Sequence, residues 1–282
     1  QDIMSYVKDL YAERKLAAGY PNLDQLAHEA FSHDVLSRLD ETPQLQRLFT
    51  YLGRLVDLGE PKNILVLGCG PHPQPVQILA NMGHKVVGVE PVQSFVETAT
   101  HYLGDLASVN QGSAEDIPLP DSSQDVVLFE SVLEHVDSIP HALEEIYRVL
   151  APGGVLYLST TNRHHFSLNG SNGEFNVPFY NWFPRLVKES YIFEHLHYRP
   201  ELANYTERPA VHWLSFADLC SCGRDARFVK FYSIVDLMRP SDPSITKSWL
   251  RRILLPHIQS NPWLRSLALT QIGHGIFMTK RT

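Results

Sequence analysis

An apolar run closed by two glycines, Ile64-Leu65-Val66-Leu67-Gly68-Cys69-Gly70, constrains the fold of this chain more than any other stretch. Consecutive apolar residues suit a strand covered on both faces, and the glycines open a tight turn in which a ligand can approach the main chain. Pro73 can begin the next helix, where a missing N–H costs nothing, and Val76, Ile78 and Leu79 supply its inward side. The free amides at such a helix start favour an anion. Val86 to Val89 is a second buried strand, with Glu90 at its C-terminal end about twenty residues past the glycines, where an acid accepts hydrogen bonds from both hydroxyls of a ribose. Strand, glycine turn and distant acid together imply a nucleoside pocket.

The turn narrows the choice of nucleoside. A dinucleotide fingerprint needs a third glycine at position 73, but Pro73 stands there behind Pro71 and His72, so a pyrophosphate fits badly. The pattern instead resembles the first motif of the class I S-adenosylmethionine-dependent methyltransferases, and the resemblance continues in that family's order. Gly112-Ser113-Ala114-Glu115-Asp116-Ile117-Pro118-Leu119-Pro120-Asp121 is similar to the segment that caps the adenine, and Gln124 to Phe129 to the fourth strand. Glu130-Ser131-Val132-Leu133-Glu134-His135-Val136 is similar to the stretch near the reactive centre, and Leu150-Ala151-Pro152-Gly153-Gly154-Val155-Leu156 to the turn into strand five. Leu158-Ser159-Thr160-Thr161-Asn162-Arg163 faintly resembles the quinone-biosynthesis O-methyltransferases. The chain departs from the family at Val66, usually an acid, at His72, often glycine, and at Ser113, in many relatives an aspartate.

This resemblance implies S-adenosyl-L-methionine as cofactor. Leu67, Gly68, Cys69 and Gly70 would hold its methionine end, Glu90 and Pro91 its ribose, and Ser113, Ala114 and Glu115 its adenine, with Glu130 and Ser131 beside the reactive centre. The implied fold class is α/β, a doubly wound, mostly parallel seven-stranded sheet of the Rossmann-like methyltransferase kind. An N-terminal helical lid would occupy residues 1–60 and the cofactor-binding core 61–162. An acceptor-binding insertion would follow at 163–213, and 214–282 would complete the sheet with a helical insertion at 236–270.

Periodicity supports this layout. Ile3 to Ala17, Leu23 to Leu39 and Pro43 to Leu58 read as amphipathic helices of the lid, after which strands and helices alternate as a parallel sheet demands. Helix Ile139 to Leu150 should precede strand Val155 to Thr160, and Ser215 should cap a helix from Phe216 to Cys222. Phe228 to Ile234 reads as strand six and Gly275 to Lys280 as an antiparallel strand seven. Between them, residues 163–213 are crowded with aromatic side chains, including Phe166, Phe179, Tyr180, Trp182, Tyr191 and Tyr205. They are either the core of a helical subdomain or the lining for a flat or apolar acceptor.

Methyl transfer is an in-line displacement at a sulfonium carbon, so alignment and exclusion of water carry most of the catalysis, and positioning is worth ~7 to 11 kcal/mol. A hydroxyl or protonated amine acceptor also gains about 100- to 10,000-fold from a general base. His135, His164 and His165 all follow the ends of parallel strands and are the candidate catalytic residues. Glu130 and Glu134 either stabilise the sulfonium or cap a helix. No metal site is expected, because His164-His165 and His195-Leu196-His197 lack a helix-spaced carboxylate and Cys220-Ser221-Cys222 lacks the spacing of a zinc pair.

A formal charge of -7 argues against a general nucleic-acid binder and favours a small-molecule acceptor as partner. Residues 245–270 interleave Lys247, Arg251, Arg252 and Arg265 with Trp249, Ile253 and Trp263, which fits a packed helical cap or a peripheral membrane contact. Three cysteines form no disulfide framework and no run approaches bilayer length, so a cytoplasmic location is expected. The oligomeric state is left open. The expected function is methyl transfer to oxygen or nitrogen of a small aromatic or apolar acceptor; the alternative is a catalytically inactive binding or regulatory protein on the same fold.

Overall fold

A computed structural model describes residues 42–160, 162–165, 184, 187, 212, 214–270 and 274–282. The chain divides into two compact units, residues 1–39 with 167–211 and residues 40–166 with 212–282, and the elements below belong to the second. The expected helices Ile3 to Ala17 and Leu23 to Leu39, the aromatic residues from Phe166 to Tyr205, and His195 and His197 lie outside the described residues.

The sheet contains β1 (Asn63–Leu67), β2 (Lys85–Glu90), β3 (Ser108–Gln111), β4 (Gln124–Glu130), β5 (Leu150–Thr160), β6 (Lys230–Ser233) and β7 (His274–Thr279). Their spatial order is β3-β2-β1-β4-β5-β7-β6. All pairs from β3 to β5 are parallel, whereas β7 runs antiparallel between β5 and β6. This is the doubly wound seven-stranded sheet that the resemblance implied.

Strand periodicity explains why the central strands read as unbroken apolar runs. Leu65, Leu67, Val127, Phe129, Leu156 and Leu158 point into one core, shared with Ala142, Leu143 and Ile146 of helix α4 (Ile139–Val149). Their neighbours Ile64, Val66, Val126, Leu128, Val155 and Tyr157 point into the other. That second core is shared with helix α1 (Thr42–Leu52) and helix α2 (Gln74–Asn81) through Leu45, Leu48, Leu52, Val76 and Leu79. Helix α1, expected in the lid, thus packs on the sheet. Helix α3 (Gln93–Leu103) follows β2 and buries Val96, Ala99 and Leu103.

Strand five starts earlier than its sequence implied. Gln124 pairs with Leu150 and Val126 with Val155, so Ala151 to Gly154 bulge opposite Asp125. Gly153 makes this possible with φ 77, and a Cβ on Gly154 would meet the Ala151 carbonyl oxygen at 2.8 Å.

Beyond β5, Ser215 caps helix α5 (Phe216–Asp225) in a reciprocal box with Asp218. After β6 the chain forms α6 (Ile234–Leu237), α7 (Pro243–Thr246), α8 (Trp249–Ser260) and α9 (Pro262–Leu269). Arg54 braces this insertion from below β1, reaching the Leu237 carbonyl and the Asp242 carboxylate, with the pair's side chains only 12% and 7% exposed. Among the described residues no helix is long and apolar enough to cross a membrane.

Candidate functional site

The register of the parallel strands draws a row of residues along the carboxyl edge of the sheet. Leu67 pairs with Val89 on one side and Phe129 on the other, which sets Gly68 level with Glu90 and Glu130. Glu90 pairs in turn with Gln111, and Glu130 with Ser159. Neighbouring strands lie ~4.8 Å apart, so the backbones of Glu90 and Glu130 flank the glycine turn about 10 Å from each other. Chain order reverses between β1 and β4, the place where open α/β sheets bind ligands.

Glu90 pins the turn. Its carboxylate is 5% exposed, with Oε2 accepting from the Gly70 amide at 3.0 Å and Oε1 from the Val92 amide at 3.2 Å. The Gly70 amide therefore already serves a carboxylate. A phosphate placed there would lose that donor and meet a like charge. Gly68 and Gly70 take φ of 65 and 67, a region that favours glycine, and a Cβ on Gly68 would come within 2.4 Å of Val132 Cγ2. The immediate reason for Gly68 is thus the loop after β4, which closes directly on the turn.

Cys69 lies between these glycines. Burial, and next to it the Glu90 charge, push its thiol up to about 12, so the thiolate is scarce at neutral pH. Gly88 lets it sit close, since a Cβ there would approach Cys69 Sγ at 2.8 Å. Pro91 follows Glu90 as an exposed residue, and Leu67 is 2% exposed in the core.

The segment expected to cap an adenine is tied to the next turn. Ser113 Oγ accepts from the Glu115 amide at 3.2 Å, and Ala114 is 7% exposed within the apolar core. Glu115 Oε1 accepts from the amides of Asp137 at 2.7 Å and Ser138 at 3.2 Å, so this carboxylate anchors the start of α4. At the end of β4, Glu130 and Ser131 are exposed, and Ser131 takes φ 54 while its amide donates to the Ser159 carbonyl at 2.9 Å. A left-handed serine at a crevice is the kind of local strain that gathers at working sites.

His135 lies half-buried in the 3-10 turn Leu133–His135, its amide donating to the Val132 carbonyl at 2.9 Å. His164, exposed, and His165, half-buried, follow β5 and are placed by Asn162: His164 N donates to its Oδ1 at 2.8 Å and His165 N to its carbonyl at 2.9 Å. Asn162 is itself 2% exposed and its Nδ2 donates to the Leu269 carbonyl at 2.6 Å. The three histidines therefore stand at one edge, on the loops after β4 and β5. Sequence reasoning assigned Asn162 no positioning role, although an asparagine at a strand end is the signal for such a turn.

Glu134, expected to stabilise the sulfonium or to cap a helix, is a buried carboxyl. It is 2% exposed beneath the same edge, and Thr160 Oγ1 donates to its Oε2 at 2.9 Å. Burial pushes its carboxyl up to about 7 against the bonds from its own amide and Thr160. It is a buried link between the turn after β4 and the end of β5. Among the described residues no group of three His, Cys, Asp or Glu side chains is close enough to hold a metal ion.

Residues 65–158 match the family profile of the methyltransferase domain. A protein of Mycolicibacterium smegmatis described as "Probable S-adenosylmethionine-dependent methyltransferase" is 33% identical over 108 residues, 38% of this chain and 40% of that protein. The demethylmenaquinone methyltransferase of Symbiobacterium thermophilum is 39% identical over 75 residues, 25% of this chain and 30% of the enzyme. The chain thus spans less than half the length of these relatives. An S-adenosylmethionine-dependent methyltransferase from Mesorhizobium loti superposes with a TM-score of 0.51 over 83% of this chain and 98% of its own, at 14% identity, a likeness of fold.

Proposed function

We propose that this chain, whose residues 65–158 form a class I S-adenosylmethionine-dependent methyltransferase domain, moves a methyl group from S-adenosylmethionine to oxygen or nitrogen of a small aromatic or apolar acceptor. The observation that carries this reading is the edge row, with Gly68, Glu90 and Glu130 level on three adjacent strands.

These residues fit the proposed donor. A carboxylate offers about four acceptor positions, enough for Glu90 to hold the Gly70 and Val92 amides and still receive ribose hydroxyls. The backbone around Gly68 and Gly70 would face the methionine end, and Ser113 with Ala114 the adenine. Glu90 and Glu130 set negative charge at an edge where a sulfonium is to lie. When bound, S-adenosylmethionine supplies a methyl carbon that a lone pair can attack without prior activation.

The chain's own tasks are then to align an acceptor, shut out water and, for a hydroxyl or ammonium, remove a proton. His135, His164 and His165, on the loops that follow β4 and β5, are the groups proposed to take that proton. Support for an aromatic or apolar acceptor comes from the composition of residues 163–213, and one matched relative is named for demethylmenaquinone. The test is formation of S-adenosylhomocysteine from S-adenosylmethionine across a panel of phenols, apolar alcohols and amines, read by mass spectrometry. Turnover on phenolic or apolar acceptors is expected, and alanine at the working histidine should flatten the rise of rate with pH. Tight donor binding with no turnover on any member would move the chain to a binding role.

A further inference from the structure

Helices α8 and α9 carry a repeated pattern, Trp249-Leu250-Arg251-Arg252-Ile253 and Trp263-Leu264-Arg265-Ser266-Leu267, each starting at the first or second residue of its helix. In the first helix Trp249, Leu250, Ile253 and Leu254 are exposed, and in the second Trp263, Leu264 and Leu267. The tryptophans are 73% and 86% exposed, far from the partial burial usual for that side chain. Spacings of one, three and four residues put each set on one helix face, so two apolar stripes look outward.

The outward direction is fixed by what holds the opposite face. Leu255 is 3% exposed, and at about 100° per residue it lies roughly 200° around the helix from Ile253. Gln259 Nε2 donates to the carbonyls of Val235 at 2.8 Å and Met238 at 3.0 Å, and Arg265 pairs with Asp236 at 2.6 Å. Ser248 and Asn261 cap the two helix starts, the latter accepting from the Trp263 and Leu264 amides. The exposed stripes thus belong to helices that are anchored and capped.

Charge names the occupant. The whole chain has a formal charge of -7, yet from Pro243 to Thr270 it contains no aspartate or glutamate, while Lys247, Arg251, Arg252 and Arg265 fall in that stretch. Lys247 and Arg252 are exposed beside the apolar stripe, while Arg251 turns back to donate to the Ser244 carbonyl at 3.2 Å. We propose that the outward face of α8 and α9 docks on an anionic lipid surface, with the tryptophans and aliphatic side chains entering the headgroup boundary and Lys247 and Arg252 meeting lipid phosphates. Helices of 12 and 8 residues are about 18 and 12 Å long, well short of a bilayer core of ~30 Å, so they lie on the membrane and do not span it. A second copy of the chain fits less well, because a symmetric contact would set the same cations against one another. The docking face lies near the candidate site, since Asn162, which positions His164, also holds the last turn of α9 through Leu269.

The test is co-sedimentation of the full chain with phosphatidylcholine vesicles made with and without phosphatidylglycerol, in the absence of methyl donor, beside sedimentation velocity of the free protein. Binding to the anionic vesicles, weakened by salt, is expected. The Trp249→Ala/Trp263→Ala protein should lose at least about ten-fold in vesicle affinity with an unchanged thermal midpoint, because both rings are already in water. Lys247→Gln/Arg252→Gln should lose roughly five-fold per residue on anionic vesicles and little on neutral ones. Failure of the wild-type chain to sediment with anionic vesicles overturns the proposal. So does a dimer that the tryptophan substitutions dissolve while vesicle binding is absent, which would assign the face to a second copy.

Discussion

Glu134→Gln is expected to make the protein more stable than its parent by an amount that grows with pH. Glu134 is 2% exposed, and burial raises its carboxyl from 4.5 to about 7 despite the bonds from its own amide and Thr160. A carboxyl that holds its proton more tightly when folded favours folding fully below its unfolded value, and that contribution is lost as pH climbs through the folded value. From 4.5 to about 7, at ~1.36 kcal/mol for each pH unit, the loss amounts to ~3 kcal/mol. Glutamine has the same shape, and its side-chain oxygen still accepts from Thr160 Oγ1, but it has no proton to lose. The two proteins should therefore unfold at similar urea concentrations near pH 4, below the unfolded value. By about pH 9 the variant should lead by ~3 kcal/mol, with circular dichroism following the transitions. The difference between the proteins cancels every other titrating group. A gap that stays constant across this range would show a carboxyl titrating at an ordinary value, and the burial argument for Glu134 would fall.

Gly68→Ala should cost ~1 to 2 kcal/mol from its φ of 65 and more from the 2.4 Å approach to Val132 Cγ2. Adding Val132→Ala should return part of the second loss and none of the first, as thermal unfolding of the single and double variants will show. Asp242→Ala strands the Arg54 guanidinium between α1 and the helical insertion and should destabilise by ~3 kcal/mol, whereas Asp121→Ala, at a carboxylate 77% exposed opposite Arg148, should cost less than ~1 kcal/mol. Equal losses from the two aspartates in urea titrations would contradict this ranking by burial.

Local chemistry was the most legible part of the sequence. Ser215 read as a helix cap because its partner Asp218 lies within the same turn, and the strands β1, β2 and β4 read from runs such as Ile64 to Leu67. What a helix packs against was less legible: the apolar stripe of α1 announces a buried side, and only the fold shows that Leu45, Leu48 and Leu52 meet the sheet. The bulge at Ala151 to Gly154 depends on pairing with Gln124 and Val126, a long-range fact that the Pro152-Gly153-Gly154 turn does not state. The placement of Gly68, Gly70 and Glu90 together at the carboxyl edge was legible from their spacing, but the Gly70–Glu90 bond that reserves an amide was not. The burial of Glu134 and Asn162 was hidden for a related reason, since burial is a property of the assembled strands. The outward turn of Trp249 and Trp263 likewise required Leu255 and Gln259 to show which face is held.

Isothermal titration of the parent chain and of Glu90→Ala with S-adenosylmethionine, S-adenosylhomocysteine and NAD puts the nucleoside site to trial. The parent should bind both sulfur nucleosides at one site and leave NAD alone, and Glu90→Ala should weaken both by at least about ten-fold, since a charged acceptor of hydrogen bonds is removed from the ribose. Preference for NAD, or equal affinity for S-adenosylhomocysteine in parent and variant, would contradict the placement of the methyl donor on the carboxyl edge of β1 and β2.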